Sequence, residues 1–556
     1  MEKTTARGLK RREFLRLGAA ASALGLLQAC SPAAQPAPTT APKPAETAKP
    51  AAQATAAPAA TTAPAATQAP ATPKPTAGPK KGGTLTVAQT DGLTTFNPFE
   101  RRWERMRRAL YNGLAKYDDK LNLVPELAEK WTFAPDGKSV TFNLRQGVKY
   151  HSGREFTSAD AKFSIEYAAS DVRTLQRPMY QMVKQVETPD KYTVTFKMAT
   201  PNAVIYDLID TMAIIDKETI QDAAKTGIGT GPFKLDTYIP NDRVEFVANK
   251  DYWDKGKPYL DRYISRIIPD VSAMTVNLES GAVDCIWRIN YHDAIRLRET
   301  GGKFVVNTGP KGYSPFDIGM NTKLKPFTDK RVRQAVAHCI DRERFAKTVM
   351  QGLVEPSAMI WPPQSWAYFK DMEGKRAYDL DKAKALLKEA GLEQGFETEI
   401  LTASKRQFGY GELAVMLQAD LKKVGINAKV SDVEVAQYDA RTQKGDIAIL
   451  AHQYGRANRD PSATMSAAKA WFTEKNAGWT HFESETYEKL QAQLESTLER
   501  DKRVPIARQI QELVLEECFT IPVAEGPQVW AYAGYVKGFG FDLDNSIEIG
   551  GIWLDK

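Results

Sequence analysis

The sequence predicts an α/β protein with several sheets and more than one hydrophobic core. Stretches with the patterns of β-strands occur throughout the chain, and amphipathic stretches with helix caps lie between them. After residue 80 the chain continues for about 475 residues of ordinary apolar content, which is more than one core usually serves, so two or more lobes are expected. No short internal repeat is present, which argues against a repeat array.

Four stretches have the clearest strand patterns. They alternate apolar and polar residues or are rich in β-branched and aromatic residues, as half-buried strands are. They lie at 83–89 (GTLTVAQ), 139–144 (SVTFNL), 192–198 (YTVTFKM) and 243–247 (RVEFV). Asp136 and Gly137 precede the second stretch and are typical of the turn of a β-hairpin.

Helices are predicted from apolar residues at helical spacing and from capping residues. Thr157 and Asp160 form a capping box before an apolar run. Asp329 and Asp379 are expected to cap two more helices, and Gly391 ends the second of these. The expected buried faces are Val332, Ala335, Val336, Cys339 and Ile340 in one helix, and Ala383, Leu386, Leu387 and Ala390 in the other. Further helices are predicted near 412–424, 484–500 and 502–518.

Residues 1–30 have the order of a bacterial export signal. Arg11 and Arg12 precede an apolar run that is shorter than the roughly 20 residues of a membrane-spanning helix. The string RREFL is similar to a twin-arginine signal, and LQAC, ending at Cys30, is similar to a lipobox except at Gln28. We expect Cys30 to become the lipidated first residue of the mature protein. An ordinary signal peptide cleaved nearby is the alternative, and both the Sec and the Tat route remain open.

Residues 31–81 are predicted to be a disordered linker. From 31 to 80, 40 of 50 residues are Ala, Pro or Thr and none is aromatic, so there is too little apolar surface to offset the entropy of folding. The first eighty residues also hold ten basic and three acidic side chains, which is the whole net charge of +7. The remainder is neutral overall and gives no basic footprint for nucleic acid.

The motifs indicate neither a metal centre nor an enzyme active site. Cys285, Cys339 and Cys518 form no CxxC and no zinc spacing. A buried thiol is expected at Cys339, and one disulfide of undetermined pairing is possible outside the cytoplasm. No close pair with ligand spacing occurs among the five histidines, which are His151, His292, His338, His452 and His481. GxSxG, HExxH and the P-loop are absent, so we expect no cofactor, no metal and no catalytic residue.

Several long stretches, in a fixed order along the chain, carry a family resemblance. The most characteristic is LAEKWTFAPDGKSVTFNLRQGVKYHSGREFTSADAKFSIEYA, at 127–168. It is followed by stretches at 229–270, 278–284 (LESGAVD), 325–343 (KPFTDKRVRQAVAHCIDRE), 378–391 (YDLDKAKALLKEAG) and 536–539 (VKGF). Together they resemble the family 5 extracellular solute-binding proteins, which are the dipeptide, oligopeptide and nickel receptors of ABC importers. The resemblance covers nearly all of 82–556.

This resemblance implies a two-lobed periplasmic-binding-protein-like α/β fold of class II, with an extra subdomain and a ligand cleft between the lobes. The implied boundaries are 82–120, 225–308 and 523–556 for lobe I, 121–224 for the extra subdomain, and 309–522 for lobe II. Its implied function is that of a monomeric, lipid-anchored extracytoplasmic receptor. Such a receptor captures a peptide-like or other small polar solute and delivers it to the permease subunits of an ABC importer. A receptor for a metal chelate or an oligosaccharide and a sensor for a signalling partner are alternatives, whereas a hydrolase is not expected.

The resemblance also places a loop that contacts solute. In peptide-binding members an aspartate after a cleft strand holds the amino group of the peptide. The matching strand here is 445–454 (GDIAILAHQY), and no carboxylate occurs between Asp446 and Asp460. Arg456 and Arg459 stand where an acid is expected, and arginines suit a carboxylate or phosphate. The alternative is that they lie on a solvated face or pair with acids of the lobe.

We expect His452, Tyr454, Arg456 and Trp361 to contact the solute. Trp361 lies in a proline-rich segment that borders the cleft in the family, and its alternative role is packing. Asp460 suits an amine, or else makes a turn before Pro461. Asn97, in TTFNPF, resembles the first cleft-lining segment of the family.

Overall fold

Two large β-sheets organise the chain. A computed structural model describes residues 78–556 apart from 93–94, 101–103, 119, 175, 310, 407 and 527, with only the backbone at 104–105. The seven strands of the first sheet, from edge to edge, are Phe304–Asn307, Trp530–Ala533, Cys285–Trp287, Thr84–Gln89, Arg262–Ile267, Arg243–Ala248 and Phe233–Ile239. The five strands of the second sheet are Ile426–Asp432, Phe396–Thr402, Ile449–Gln453, Phe316–Met320 and Thr520–Ala524.

Smaller sheets accompany them. A four-stranded antiparallel sheet has the order Ala128–Phe133, Ser139–Leu144, Thr193–Met198 and Val183–Asp190. Two-stranded sheets are formed by Ala115–Tyr117 with Leu123–Pro125, and by Val536–Lys537 with Trp553–Leu554. The four-stranded sheet contains the predicted hairpin, in which Gly137 has φ 66° and its amide donates to the Ala134 carbonyl at 2.9 Å.

The helices lie between and against these strands. The α-helices are Glu104–Leu110, Ser158–Ser170, Arg177–Gln181, Ile205–Thr211, Ala223–Thr226, Val271–Ser280, Tyr291–Arg298, Lys330–His338, Arg342–Arg344, Leu380–Glu389, Tyr410–Lys423, Val435–Lys444, Pro461–Ala467, Glu485–Ser496 and Arg500–Glu517. Short 3₁₀ helices are Ile220–Asp222, Lys370–Arg376, Lys469–Trp471, Glu474–Asn476 and Ile549–Gly551, and Phe345–Val349 is a π-helix. No helix within the described residues has the length and apolar character needed to cross a membrane.

Local sequence signals account for many of these elements. The capping box of Thr157 and Asp160 is present at the start of Ser158–Ser170. The side chains of Asp329 and Asp379 cap their helices as predicted. One detail differs, because the helix after Asp329 ends at His338, so Cys339 is its C-cap residue and remains buried.

The chain leaves the seven-stranded sheet for the five-stranded sheet after Asn307 and returns after Ala524, which makes two passages between the sheets. The predicted α/β class with several sheets is therefore confirmed, and the two sheets form the centres of two lobes. The exact lobe boundaries stay a prediction; strand Thr520–Ala524 pairs in the five-stranded sheet, although its last two residues were expected in lobe I. Arg11, Arg12 and Cys30, for which an export signal and a lipid anchor are predicted, lie outside the described residues.

The three cysteines of the described residues are free and buried. The possible disulfide among Cys285, Cys339 and Cys518 is therefore wrong for this structure. Cys285 packs in a different core cluster from Cys339 and Cys518. The thiol of Cys518 donates to the Leu515 carbonyl at 3.1 Å.

Candidate functional site

A cavity of about 540 Å³ lies where strands of both large sheets end. Asp91 and Arg288 follow strands of the seven-stranded sheet that are parallel to each other. Arg406 and Gly455 follow two parallel strands of the five-stranded sheet. In α/β sheets the crevice outside the carboxyl ends of parallel strands is the usual ligand site. The cavity is therefore placed between the sheets where a ligand is expected.

Three residues that line the cavity have a left-handed backbone although none is glycine. The φ angle is 63° at Arg288, 69° at Arg456 and 62° at Asn545. Such conformations cost about 1–3 kcal/mol and persist only where the surrounding structure imposes them. The backbone amide of Arg288 donates to Val529 O at 3.2 Å, and the amide of Arg456 donates to Tyr313 O at 3.2 Å. The fold thus holds Arg288 at the cavity on the side of the seven-stranded sheet and Arg456 on the side of the five-stranded sheet.

Arg288 differs from the other two arginines of the cavity in its charge environment. Its side chain is exposed, and Cζ lies 4.3 Å from the centroid of the Trp287 ring. Arg406 pairs with Asp439 and Arg456 pairs with Asp207. In the part of the chain that the structure describes, Arg288 has no such carboxylate partner. Its charge is therefore available to a ligand.

Arg459 belongs to a buried ion-pair network. Its guanidinium is almost completely buried and contacts the carboxylates of Asp210 and Asp544. Asp544 also lines the cavity and lies 3.5 Å from Nη2 of Arg107. Burial acts to raise the pKa of Asp544, but neighbouring arginines, foremost Arg459, lower it below the ordinary value of an aspartate. Asp544 is therefore already neutralised and is poorly suited to hold the amino group of a ligand.

Two of the residues predicted to contact solute, His452 and Arg456, line the cavity. Trp361 and Tyr454 lie in the hydrophobic core instead, 0% and 2% exposed. The hydroxyl of Tyr454 donates to the Ile360 carbonyl at 2.7 Å, and its ring packs edge-on against Trp471. In this conformation neither aromatic residue offers a surface to a solute, because both are enclosed by packing.

Asp460 and Asn97 have structural partners and do not line this cavity. The two carboxylate oxygens of Asp460 accept hydrogen bonds from Arg503 at 2.7 and 2.5 Å, and Oδ1 accepts from the Ser462 amide at 2.9 Å. Asn97 is buried, and its Oδ1 accepts from the Phe99 amide at 3.1 Å. Helix capping and turn formation therefore account for both side chains here.

Sequence reasoning did not single out several residues of the cavity. Trp287, Arg288, Tyr410 and Asn545 all line it. The position of Arg288 just after a short apolar strand was a usable signal, because strand ends of an α/β sheet border the ligand crevice. Its left-handed backbone and its missing carboxylate partner depend on tertiary structure and have no signature in the sequence. Within the described residues, no three His, Cys, Asp or Glu side chains converge as a metal site.

Comparison with known families gives one match. The model of the bacterial extracellular solute-binding proteins, family 5 Middle, matches residues 122–476. The matched range includes three residues that line the cavity, Arg288, His452 and Arg456.

The chain is similar to several curated proteins. The dipeptide-binding protein of Escherichia coli K12 is 30% identical over 78% of this chain and 86% of the relative. Heme-binding protein A of Haemophilus influenzae Rd is 28% identical, over 80% and 87%. The glutathione-binding protein GsiB of Salmonella paratyphi A is 26% identical, over 83% and 94%. Among solved structures, AgaA of A. tumefaciens R10 in complex with agropinic acid has a TM-score of 0.68 at 25% identity, over 85% of this chain and 99% of AgaA.

Proposed function

The chain belongs to the family 5 bacterial extracellular solute-binding proteins, and we propose that its cavity binds a small organic solute through carboxylate groups. Receptors of this family capture a solute outside the cytoplasm for an ABC importer, and this chain is such a receptor. A solute drives closure of a two-lobed receptor only if it binds the closed form better than the open form. The chemistry of the cavity between the lobes therefore decides which solute is taken.

The proposal rests on the position of Arg288 at the cavity and on its lack of a carboxylate partner among the described residues. A guanidinium presents parallel N–H groups that match the two oxygens of a carboxylate, and it stays charged at any physiological pH. The fold holds Arg288 in a strained left-handed conformation at the cavity, stacked on Trp287 and without a carboxylate partner among the described residues. A carboxylate from the solute supplies the missing counter-charge.

The acidic residues near the cavity also favour an anionic group of the solute over a cationic one. A cationic amine in a cleft needs a carboxylate, because an unpaired buried charge is costly. Asp544 is already paired with Arg459 and Arg107. The segment after strand Ile449–Gln453 contributes Gly455 and Arg456 to the cavity, at the place where the family resemblance implies an aspartate in peptide receptors. Recognition of an anionic group is therefore favoured over recognition of a free amino terminus.

The size of the cavity supports a small solute. A volume of about 540 Å³ lies within the range of roughly 300–1,000 Å³ that is common for small-molecule sites. Dipeptides, glutathione and agropinic acid, which the names of the relatives and of the solved structure mention, all carry carboxylates. We propose a solute of this class and size for this chain.

The test compares acids with their methyl esters. Glutathione, alanyl-alanine and agropinic acid are titrated into the purified protein in a calorimeter, each beside its methyl ester. We expect at least one acid to bind, and its ester to bind at least tenfold more weakly, which corresponds to about 1.4 kcal/mol. Arg288→Gln should remove the preference for the acid, and Arg298→Gln, which changes an arginine outside the cavity, should keep it. Failure of all three acids, or equal binding of acid and ester, contradicts the proposal.

His452 favours one second candidate, a chelate whose metal takes a single imidazole from the protein. The ring lines the cavity, and a relative is named for heme binding. Titration with hemin and with nickel–histidine, followed by absorbance, tests this candidate. A spectral change that His452→Ala removes supports it, and an unchanged spectrum with both probes excludes it.

We also propose that the receptor is a monomer, has no catalytic activity and is held at the outer face of the membrane by a lipid on Cys30. The order of Arg11, Arg12, apolar run and Cys30 supports the anchor. Cell fractionation tests it, because Cys30→Ser should move the receptor from the membrane fraction to the soluble fraction. An unchanged distribution argues for an ordinary signal peptide instead.

A further inference from the structure

Asp317 and His452 face each other on neighbouring strands of the five-stranded sheet. Strands Phe316–Met320 and Ile449–Gln453 are antiparallel and pair these two residues directly, so both side chains project from the same face. Oδ1 of Asp317 lies 3.4 Å from Nδ1 of His452. The Asp317 side chain is 0% exposed, whereas that of His452 is 21% exposed and lines the cavity. The pair thus connects a buried carboxylate to the cavity through one imidazole.

The carboxylate of Asp317 has no hydrogen-bond donor of good geometry among the described residues. Its one ion-pair contact in that part of the chain is His452. A buried carboxylate without donors is costly, and native structures rarely keep one without a role. Burial raises the pKa of Asp317, and the contact with His452 partly opposes this rise. Among the described residues, the imidazole of His452 is therefore the group placed to offset the charge of this carboxylate.

Aromatic rings fix the imidazole in place. The Tyr438 ring is nearly parallel to it, at 9° and 6.4 Å between centroids. The rings of Tyr410 and Trp479 lie at 6.3 and 5.9 Å. Burial raises the pKa of both tyrosines far above neutrality, so they stay uncharged.

The charged groups that face the pair from the other elements are cationic. Arg406 and Arg456 line the same cavity, and the Arg406 Cζ also lies 5.7 Å from the Tyr438 ring. Tyr454, whose hydroxyl group is influenced by the charge of Asp317, is buried, and burial raises its pKa. Within the described lining of the cavity, the carboxylates are those of Asp91, which follows a strand of the seven-stranded sheet, and Asp544, which is paired with Arg459. An anionic solute at His452 therefore meets positive charge.

The pair has two states that differ by one proton. In the state with fewer protons, the imidazole is neutral with its hydrogen on Nδ1, which faces Oδ1 of Asp317 at 3.4 Å, and Nε2 presents a lone pair to the cavity. With one more proton, Nε2 carries a hydrogen, whether the proton between the partners lies on Nδ1 or on the carboxyl group. While the hydrogen on Nδ1 stays directed at Asp317, only this second state can donate a hydrogen bond from Nε2 to a carboxylate. An anionic solute consequently stabilises it.

We propose that binding of a carboxylate-bearing solute at His452 is coupled to uptake of a proton by the Asp317–His452 pair. Asp317 acts as a positioning residue that orients the imidazole and shares the proton. The inference rests on the proposed carboxylate-binding function. Affinity then falls as the pH rises through the titration of the pair, by up to about tenfold per pH unit if one full proton is taken up.

Glu525 is the competing source of a pH dependence. It lies in the second passage between the sheets, is buried, and does not line the cavity. Burial, followed by the charges of Glu355 and Glu373, raises its pKa to about 8. If closure of the lobes changes the protonation of Glu525, solute binding also depends on pH. Glu525→Gln separates the two explanations.

The experiment measures proton uptake by calorimetry with reduced glutathione, or with alanyl-alanine or agropinic acid if that acid binds more tightly. Titrations at pH 6.5 and 8 are run in phosphate and in Tris, whose heats of ionisation differ, so the difference in binding heat counts the protons taken up. We expect wild type to take up a substantial fraction of a proton at pH 8. Asp317→Asn and His452→Gln should each abolish the uptake, and Glu525→Gln should keep it. Circular dichroism identifies folded variants, and His452→Gln carries the same expectation if Asp317→Asn does not fold.

The results that would overturn the proposed proton uptake differ from those that would overturn the proposed function. Uptake that survives in Asp317→Asn or His452→Gln, or that disappears in Glu525→Gln, overturns the inference. Binding that needs Arg288 but takes up no proton also overturns it and leaves the proposed function intact. Absence of binding by all three acids at both pH values overturns the proposed function and the inference with it.

Discussion

Arg459 and Asp210 form an ion pair that is almost closed to solvent, with side chains 1% and 2% exposed. Arg459 lies in a loop that follows a strand of the five-stranded sheet, and Asp210 lies in helix Ile205–Thr211. Asp207, in the same helix, and Asp544, near the end of the chain, contact the same guanidinium group. One arginine thus ties the five-stranded sheet to two segments outside it.

Replacement of this arginine should be strongly destabilising. Arg459→Met leaves three carboxylates without their shared counter-charge, and removal of one partner from a buried ion pair costs about 3–5 kcal/mol. Urea denaturation at pH 7 measures the loss. Lys405→Met is the matched control, because Lys405 pairs with Glu434 and both side chains are 71% exposed. The control should cost less than about 1 kcal/mol. Equal losses in the two variants would show that the buried network does not stabilise the fold.

Glu525 should make the stability of the protein depend on pH. Burial and the neighbouring glutamates raise its pKa from 4.5 to about 8, so the folded protein keeps a proton that the unfolded chain releases between these values. The free energy of unfolding contributed by this proton is complete at acid pH, falls as the pH rises towards 8, and is absent above it. Glu525→Gln removes this contribution.

Denaturation at pH 6 and pH 8 measures the effect. Between these values, wild type should lose at least about 1 kcal/mol more than Glu525→Gln, because a proton held on one side of an equilibrium changes its free energy by about 1.4 kcal/mol per pH unit. Glu434→Gln, at an exposed position, should keep the wild-type slope. Parallel slopes for wild type and Glu525→Gln would mean that Glu525 is ionised in the folded protein.

Local signals explain what the sequence predicted well. Thr157, Asp329 and Asp379 start helices because a side-chain oxygen satisfies amide groups only two or three residues away. Such interactions are complete within one turn and need no knowledge of the rest of the fold. The hairpin at Gly137 is equally local, because its left-handed φ favours glycine.

The candidate site depends on contacts that are distant in sequence. Trp361 resembled a cleft residue, yet it is fully buried, because an aromatic side chain serves a core and a ligand site equally well. Arg456 and Arg459 are three residues apart and look alike in the sequence. Arg456 pairs with Asp207 and lines the cavity, whereas Arg459 is almost fully buried between Asp210 and Asp544. The environments of the two arginines depend on tertiary contacts and therefore cannot be predicted from local sequence.

The cysteines should be unreactive in the folded protein. Cys285, Cys339 and Cys518 are free and buried, and burial raises the pKa of Cys339 to about 12 and that of Cys518 to about 11. The thiolate is the reactive form, so both exposure and ionisation are missing. In a Cys30→Ser background, Ellman's reagent should label no thiol under native conditions and three after denaturation. Labelling of fewer than three in the denatured protein would reveal a disulfide.

Gly319 should be intolerant of any side chain. It lies in strand Phe316–Met320, and a Cβ at this position would overlap the ring of Trp479. Trp479 in turn packs on His452, 5.9 Å between ring centroids. Gly319→Ala therefore displaces a ring that helps to hold the imidazole at the cavity, and overpacking of this kind typically costs about 1–3 kcal/mol. Urea denaturation measures this loss, and calorimetry with the best-binding acid should show weaker binding. Gly374→Ala is the control, since a Cβ there meets no atom within 4 Å and should change neither quantity. Unchanged stability and binding in Gly319→Ala would show that Trp479 moves aside freely and does not fix His452.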